Sequence, residues 1–376
     1  LSEAEIALFI SAMHEQGANM QETIYLTNAI LNSGNKFSLK DKLVVDKHSI
    51  GGIAGNRTTP IVVSICAAAG LTMPKNSSRA ITSAAGTADV VETIAKVDFS
   101  INELKKIIKK THGCMVWGGG WGVVPADAKI IQIEKLLNID VEALLLSSIM
   151  SKKLAVGSRY IIIDIPYGEN AKVDKRKALH LKKKFEYLGR YYKKKLKVVL
   201  TDGSQPIGNG IGPVLEMIDV IKILDPKQQG PKDLEKKSLF LAGQLLEMSK
   251  KSPQGKGVEL AKEILYSGEA FEKFKQIIRA QKGDLNKIKN LKPAKFKKDI
   301  FAKKSGKICE IKNKKINFLA RLAGCPADKS SGIYLYSHIN NKIKKRDKIL
   351  TIFSESKSRL KQALKFYDDN DIIKIK

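Results

Sequence analysis

The stretch Lys47-His48-Ser49-Ile50-Gly51-Gly52-Ile53-Ala54-Gly55-Asn56-Arg57-Thr58-Thr59 constrains the fold more than any other. The apolar run Leu43-Val44-Val45 leads into it, and Ile61-Val62-Val63-Ser64-Ile65-Cys66-Ala67-Ala68-Ala69 leads out. The pattern predicts a strand, a glycine-rich turn and a buried helix starting near Pro60. Such a turn aims backbone N–H groups outward at the positive end of a helix, which suits an anion. Lys47, Arg57 and the hydroxyls of Ser49, Thr58 and Thr59 add donors at the same place. No Gly-Lys-Ser/Thr closes the turn, so a nucleotide triphosphatase loop is not inferred. The competing reading is an ordinary strand–helix turn, rich in glycine for steric reasons.

Short apolar runs alternate with helical stretches after this point. Candidate strands are Leu71-Thr72-Met73-Pro74, Met115-Val116-Trp117, Tyr160 to Ile165 and Lys197-Val198-Val199-Leu200. Continuous apolar strands between helices indicate a parallel sheet covered on both faces, with ligands expected at the strands' C-terminal ends. Residues 1–33 read as two helices. Ser2 with Glu5 forms a capping box, Met20–Leu31 forms the second helix, and Gly34-Asn35 stops it. A further helical stretch, Ile130–Ala155, carries Leu136, Leu137, Leu144, Leu145, Leu146 and Ile149, and is expected to return onto the first helices. Lys292-Pro293-Ala294-Lys295 reads as a linker. Beyond it, short β-like runs at 305–311 and 332–336 precede a helix over Ser354–Leu364.

The expected fold is therefore α/β: a discontinuous small helical domain, a large α/β domain with a mostly parallel sheet, and a C-terminal α+β domain. The expected division is 1–40 and 126–157 for the helical domain, 41–125 and 158–290 for the α/β domain, and 298–376 for the last. A cleft between the first two is where a substrate is expected.

Composition narrows the function. The 376 residues are 43% hydrophobic and contain no run near the ~18 apolar residues of a membrane span. Residues upstream of Leu1 are expected, since the chain does not open on Met; no leader pattern is visible. Cys66, Cys114, Cys309 and Cys325 are scattered without a CxxC pair, which fits a reducing cytoplasm and gives no metal or redox motif. The net charge of +29 raises nucleic-acid binding as a rival function. Its distribution argues against that rival. Lysines spread over 182–197, 227–256, 282–315 and 342–365 as solvated faces, arginine is sparse, and aromatics are 6% with no stacking motif.

Four further stretches hold residues suited to chemistry. Lys75 to Asp89 is dense in hydroxyls around Arg79, ending in Gly86-Thr87; convergent donors suit an oxyanion, and local capping is the alternative. In Ser148-Ile149-Met150-Ser151-Lys152-Lys153, Ser148 and Lys152 fall on one helical face and could hydrogen-bond a heterocycle, or simply end an exposed helix. Thr201 to Pro213 and Trp117-Gly118-Gly119-Gly120-Trp121 are rigid glycine-rich loops at strand ends.

In this order, Lys47-His48-Ser49-Ile50-Gly51-Gly52, Ser78 to Ser83 with Gly86-Thr87, Ser148 to Lys153 and Asp202 to Gly210 resemble the thymidine/pyrimidine-nucleoside phosphorylase family. The resemblance spans essentially the whole chain. It is greatest to the second type, the bacterial putative thymidine phosphorylases and archaeal AMP phosphorylases. It implies reversible phosphorolysis, with inorganic phosphate as co-substrate, no cofactor and no metal, small-molecule partners and a homodimer. It places phosphate on Lys47, Ser49, Ser77 and Thr87 with Thr59 nearby, and His48, Ser148 and Lys152 at the base. From the AMP-type members it carries nucleotide contacts onto Gly52, Ser78, Arg79, Ala80, Ile81, Thr82, Ser83, Thr87, Ser148 and Lys172, and a proton donor onto Asp140. Thymidine phosphorylase is the first expectation and AMP phosphorylase the second; an inactive relative is a third. Departures from the family pattern are Ile133 where first-type enzymes carry Arg, the stretch Trp121-Gly122-Val123-Val124, Ala128, and 134–139 without the usual Arg and Pro. The change at Ile133 favours second-type chemistry.

Overall fold

A computed structural model describes residues 1–376 other than 36, 38, 40, 42, 81, 82 and 121. The chain opens with α1 (Glu3–Gln16) and α2 (Met20–Asn32). Reciprocal side-chain bonds start both, Ser2 with Glu5 and Asn19 with Glu22, satisfying otherwise orphaned N–H groups. Next come β1 (Val45–Ser49), α3 (Thr58–Ala68), β2 (Met73–Ser77), α4 (Thr87–Val91), α5 (Ile101–Thr111) and β3 (Gly113–Trp117). The helices α6 (Pro125–Leu137) and α7 (Glu142–Ala155) precede β4 (Tyr160–Tyr167), α8 (Lys175–Tyr191) and β5 (Lys195–Asp202). A short β6 (Gly210–Ile211) leads into α9 (Pro213–Leu224), α10 (Lys232–Met248), α11 (Gly257–Tyr266), α12 (Glu269–Ala280) and α13 (Leu285–Asn290).

Strands β1, β4 and β5 pair in parallel in that order, and β2 pairs in parallel with β3. A parallel bridge between Val44 and Thr72 joins the two sets. The resulting order is β3-β2-β1-β4-β5, with every C-terminal end at one edge. The two-residue side-chain period sorts β4 onto both faces. Ile162 joins the core with Ile61 of α3 and Leu241 of α10, while Ile161, Ile163 and Ile165 pack with α7 and α8. Phe185 on α8 is fully buried there, a burial worth roughly 1.5–3 kcal/mol.

The two helical pieces meet although more than ninety residues of chain separate them. Ile6, Ile10 and Ile30 share a core with Ile130, Ile133 and Leu144, and that core continues into Leu104 and Val116. Thr27 Oγ1 donates to Ser147 Oγ at 3.0 Å, and Ser147 donates to the Thr23 carbonyl, tying α2 to α7. The helical stretch 130–155 is divided between α6 and α7. Asn138 adopts the left-handed conformation that ends α6, so Leu136 and Leu137 on its last turn face solvent instead of the core. Helix α3 starts at Thr58, two residues before the predicted Pro60, which sits in the first turn where a missing N–H is harmless.

The C-terminal unit comprises β7 (Phe296–Phe301), β8 (Gly306–Ile311), α14 (Asn313–Ala323), β9 (Gly332–Leu335), β10 (Lys342–Ile343), β11 (Lys348–Ser354), α15 (Lys357–Asp368) and β12 (Ile373–Ile375). One antiparallel sheet runs β6-β9-β11-β7, a second β10-β8-β12. Its core includes Ala54, Ala84 and Ile211 from the loops at the end of the parallel sheet. No helix among the described residues is long and apolar enough to cross a membrane.

Candidate active site

The end of β1 builds the first wall. Lys47 is buried, and its Nζ donates to Thr58 Oγ1 at 2.5 Å and Thr59 Oγ1 at 3.3 Å at the start of α3. Burial pushes this ammonium down to about 7, Asp164 opposes the fall, and Lys75, Lys237 and Arg57 add to it. Ser49 Oγ and His48 Nδ1 are buried atoms without a hydrogen-bond partner among the described residues. His48 lies well below the ordinary imidazole range because of burial and then the cations Lys153, Lys75, Lys152 and Lys47, so it is neutral and keeps one donor and one acceptor nitrogen. Gly51 (φ +85°) and Gly52 (φ +88°) take left-handed backbone angles; a Cβ on Gly52 would stand 2.5 Å from Lys172 Cβ.

The second wall is the end of β2 and the start of α4. Arg57 bridges the two walls: its Nη1 donates to Thr87 Oγ1 at 2.6 Å, its Nη2 to the Ala85 carbonyl at 2.9 Å and its Nε to Glu216 at 2.7 Å. Glu216 is fully buried, and burial lifts it to about 7 against the pull of Arg57. Ser77 Oγ donates to the Val116 carbonyl at 3.0 Å, and the Ala88 N–H reaches the Ser78 carbonyl at 3.4 Å, which puts Ser77, Ser78 and Thr87 side by side. Arg79 is a bidentate partner of Glu92 at 2.7 Å on both arms, with Asp89 at 3.4 Å and the Trp117 ring beneath it. Asp89 accepts from the Ala80 and Gly86 N–H groups, and Ser83 Oγ donates to the Ala85 carbonyl. Ile81, Thr82 and Trp121 lie outside the described residues.

The helical side supplies the third wall. Lys152 Nζ donates to Ser148 Oγ at 2.7 Å and pairs with Asp127 Oδ2 of α6 at 2.6 Å, while Asp127 Oδ1 has no hydrogen-bond partner among the described residues. Beneath them Asp46 of β1 binds Lys153 of α7 at 2.7 Å and Lys75 of β2 at 3.2 Å, all three buried. Burial alone would raise the Asp46 carboxyl; Lys153 and Lys75 outweigh it and hold it below the ordinary carboxylate range. Asp140 is 58% exposed and pairs with Lys172 at 2.7 Å, beside Gly52. The raised carboxyl on this side is Glu134, lifted to about 7 by burial and by Asp140, with Lys172 opposing.

The geometry favours binding a small anion. Thr58, Thr59 and Thr87 accept from cations with their oxygen lone pairs, so their O–H groups remain free to donate. With the unpaired Ser49 hydroxyl and the Lys47 ammonium, these donors are fixed before any ligand arrives. Sequence reasoning missed the ionic frame below: Asp46, Lys153, Asp164, Lys237 and Glu216. Lys237 reaches Asp164 Oδ2 at 3.0 Å, and Thr201 donates to Asp164 Oδ1 at 2.6 Å. Only the charged break Asp46-Lys47-His48 inside an otherwise apolar strand hinted at such a frame.

Comparison with known proteins places this arrangement. Residues 41–271 match the family described as glycosyl transferase family, a/b domain, and residues 307–374 match the pyrimidine nucleoside phosphorylase C-terminal domain. AMP phosphorylase of Thermococcus sibiricus is 46% identical over 97% of this chain and 73% of its own length. A putative thymidine phosphorylase of Legionella pneumophila strain Paris is 44% identical over 99% and 72%. Anthranilate phosphoribosyltransferase of Thermus thermophilus superposes with a TM-score of 0.62 at 17% identity, covering 75% of this chain and 91% of that one, a likeness of fold. Two matched domains in order, and relatives matched over nearly the whole of this chain, show that the chain belongs to the nucleoside phosphorylases, pentosyltransferase-type enzymes built on this α/β scaffold.

Proposed function

We propose that the enzyme is a thymidine phosphorylase of the second type, converting thymidine and phosphate reversibly into thymine and 2-deoxyribose 1-phosphate. The observation that carries the phosphate half is the cation-and-hydroxyl frame: Lys47 on Thr58 and Thr59, and Arg57 on Thr87, around the unpaired Ser49. In this reading Lys47, Ser49, Thr59, Ser77 and Thr87 hold the phosphate, whose oxygen forms the new bond to the anomeric carbon. The bond from that carbon to the base nitrogen breaks, and its electron pair leaves with the base. Fixed donors stabilise such charge movement without reorganising. Ser148, Lys152 and neutral His48 receive the base. Its proton comes from the pair Asp140 and Glu134 beside Lys172, where burial and the neighbouring Asp140 lift the Glu134 carboxyl to about 7.

A nucleoside is favoured over a nucleotide because the nearby cations are engaged. Arg79 has both arms on Glu92, and Lys172 is paired with Asp140. The second reading, AMP phosphorylase, rests on Lys172 lying against Gly52, where release from Asp140 would free it for a 5′-phosphate. A panel of nucleosides and nucleoside monophosphates, assayed with and without phosphate, separates them. Thymine from thymidine only in phosphate is the expected result. Faster adenine release from AMP selects the second reading, and no base from either sinks both.

A further inference from the structure

Three loops meet at the C-terminal end of the parallel sheet, and one helix outside that sheet holds them all. Asn313 opens α14 and is fully buried. Its Oδ1 accepts the Ala54 N–H at 3.1 Å, and its Nδ2 donates to the Gly203 carbonyl at 3.1 Å. Asn317, one turn on and therefore on the same face, accepts the Ala84 N–H at 3.0 Å. The Gly51–Gly55 turn, the segment before Thr87 and the loop after β5 are thus gripped by two amides. Asn313 is not spent on starting its own helix, whose cap residue is Lys312 with no side-chain bond. Around the two amides Ile316, Leu319 and Ala320 are fully buried against Ala54 and Ala84. An amide in such surroundings is costly unless bonded, so these bonds set the register in which α14 meets the loops.

The loops need that support. Gly51, Gly52 and Gly55 all have left-handed φ angles, between +68° and +88°, and glycine gives such a turn no stiffness of its own. A donor array is effective only if it is fixed before the ligand binds. From this juxtaposition we infer that Asn313 and Asn317 are positioning residues for the phosphate site, and that the C-terminal unit sets phosphate affinity without touching the substrate. This rests on the phosphate reading given above.

The test uses the intact chain as unaltered protein, Asn317→Leu and Asn317→Asp. Asn317→Leu keeps the number and branching of the side-chain heavy atoms and removes the acceptor; Asn317→Asp restores an acceptor for the Ala84 N–H. Asn317→Leu should raise the phosphate KM by about tenfold, leave the nucleoside KM within about twofold, and speed hydrogen exchange at the Ala84 amide. Asn317→Asp should bring both back toward the unaltered values. A merely unstable variant would lose active enzyme, lowering kcat without moving KM. An unchanged phosphate KM in Asn317→Leu, or equal increases in both KM values, would overturn the inference. If the unaltered protein turns over no substrate, the functional reading is what has failed, and exchange decides alone: an unchanged rate at Ala84 in Asn317→Leu then overturns the clamp.

Discussion

Replacing Lys47 by alanine should lower kcat/KM for phosphate by about a hundred- to a thousandfold while leaving a folded protein. The size follows from removing one preorganised donor from a dry site, roughly 3–4 kcal/mol of transition-state stabilisation. The fold should survive because Asp164, the acidic neighbour of Lys47, keeps Lys237 at 3.0 Å and Thr201 at 2.6 Å. A pH dependence accompanies the change. The folded Lys47 titrates near 7, far below the ordinary lysine range, so the free enzyme loses this charge as pH rises through about 7. The plot of kcat/KM for phosphate against pH should fall above that point in the unaltered enzyme, and Lys47→Ala should lose this descending limb. The depressed pKa also fixes the stability sign. Between about pH 7 and the ordinary lysine range the unfolded chain binds the extra proton, so Lys47's contribution to stability grows as pH rises through that window. Steady-state kinetics at several pH values measure this, and equal constants in the two proteins would remove Lys47 from the phosphate site.

Asp46→Asn should destabilise the protein by about 3–5 kcal/mol, the usual cost of leaving buried charges without their counter-ion. Among the described residues Asp46 is the counter-ion of Lys153, which is wholly buried, and it shares Lys75 with the Lys47 carbonyl. The three residues come from β1, β2 and α7, so the triad pins the helical segment to the sheet directly under His48. Because the Asp46 carboxyl is held below the ordinary range, its contribution is present above the unfolded-state value and lost as pH falls through the folded one. Chemical denaturation at neutral pH is the measurement. Asp46→Leu combined with Lys153→Met, which removes one of the orphaned ammonium groups, should be less damaging than Asp46→Asn. A loss under about 1 kcal/mol in Asp46→Asn would mean that the triad is not a structural pin.

The parallel sheet and the grouping of Lys47 with Thr58 and Thr59 were legible because local chemistry encodes them, whereas Thr87 joined that group only through the family resemblance. Glycines mark the strand-end turns, and apolar runs mark buried strands. What was hidden depends on long-range contact. Asn313 and Asn317 lie 259 and 233 residues from the Ala54 and Ala84 N–H groups they hold, in a unit whose own sequence reads as an independent appendage. Asp46, Lys75, Lys153 and Glu216 are charges inside apolar surroundings, and hydropathy sends charges outward unless the partner is known. The raised carboxyl of Glu134 was hidden for the same reason. Motif position marks Asp140, but burial raises Glu134, and burial is set by how α6 meets the following turn. Leu136 and Leu137 failed in the opposite sense: apolar side chains counted toward a core that the end of α6 turns away from.

The most direct measurement is a crystal structure of the unaltered protein grown or soaked in inorganic phosphate. One tetrahedral anion should lie within hydrogen-bond distance of Lys47 Nζ and the Ser49, Ser77 and Thr87 hydroxyls, with Ser49 no longer unpaired. Phosphate bound elsewhere, or a saturating concentration that leaves those four groups as they stand, would contradict the anion site on which the phosphorolysis reading depends.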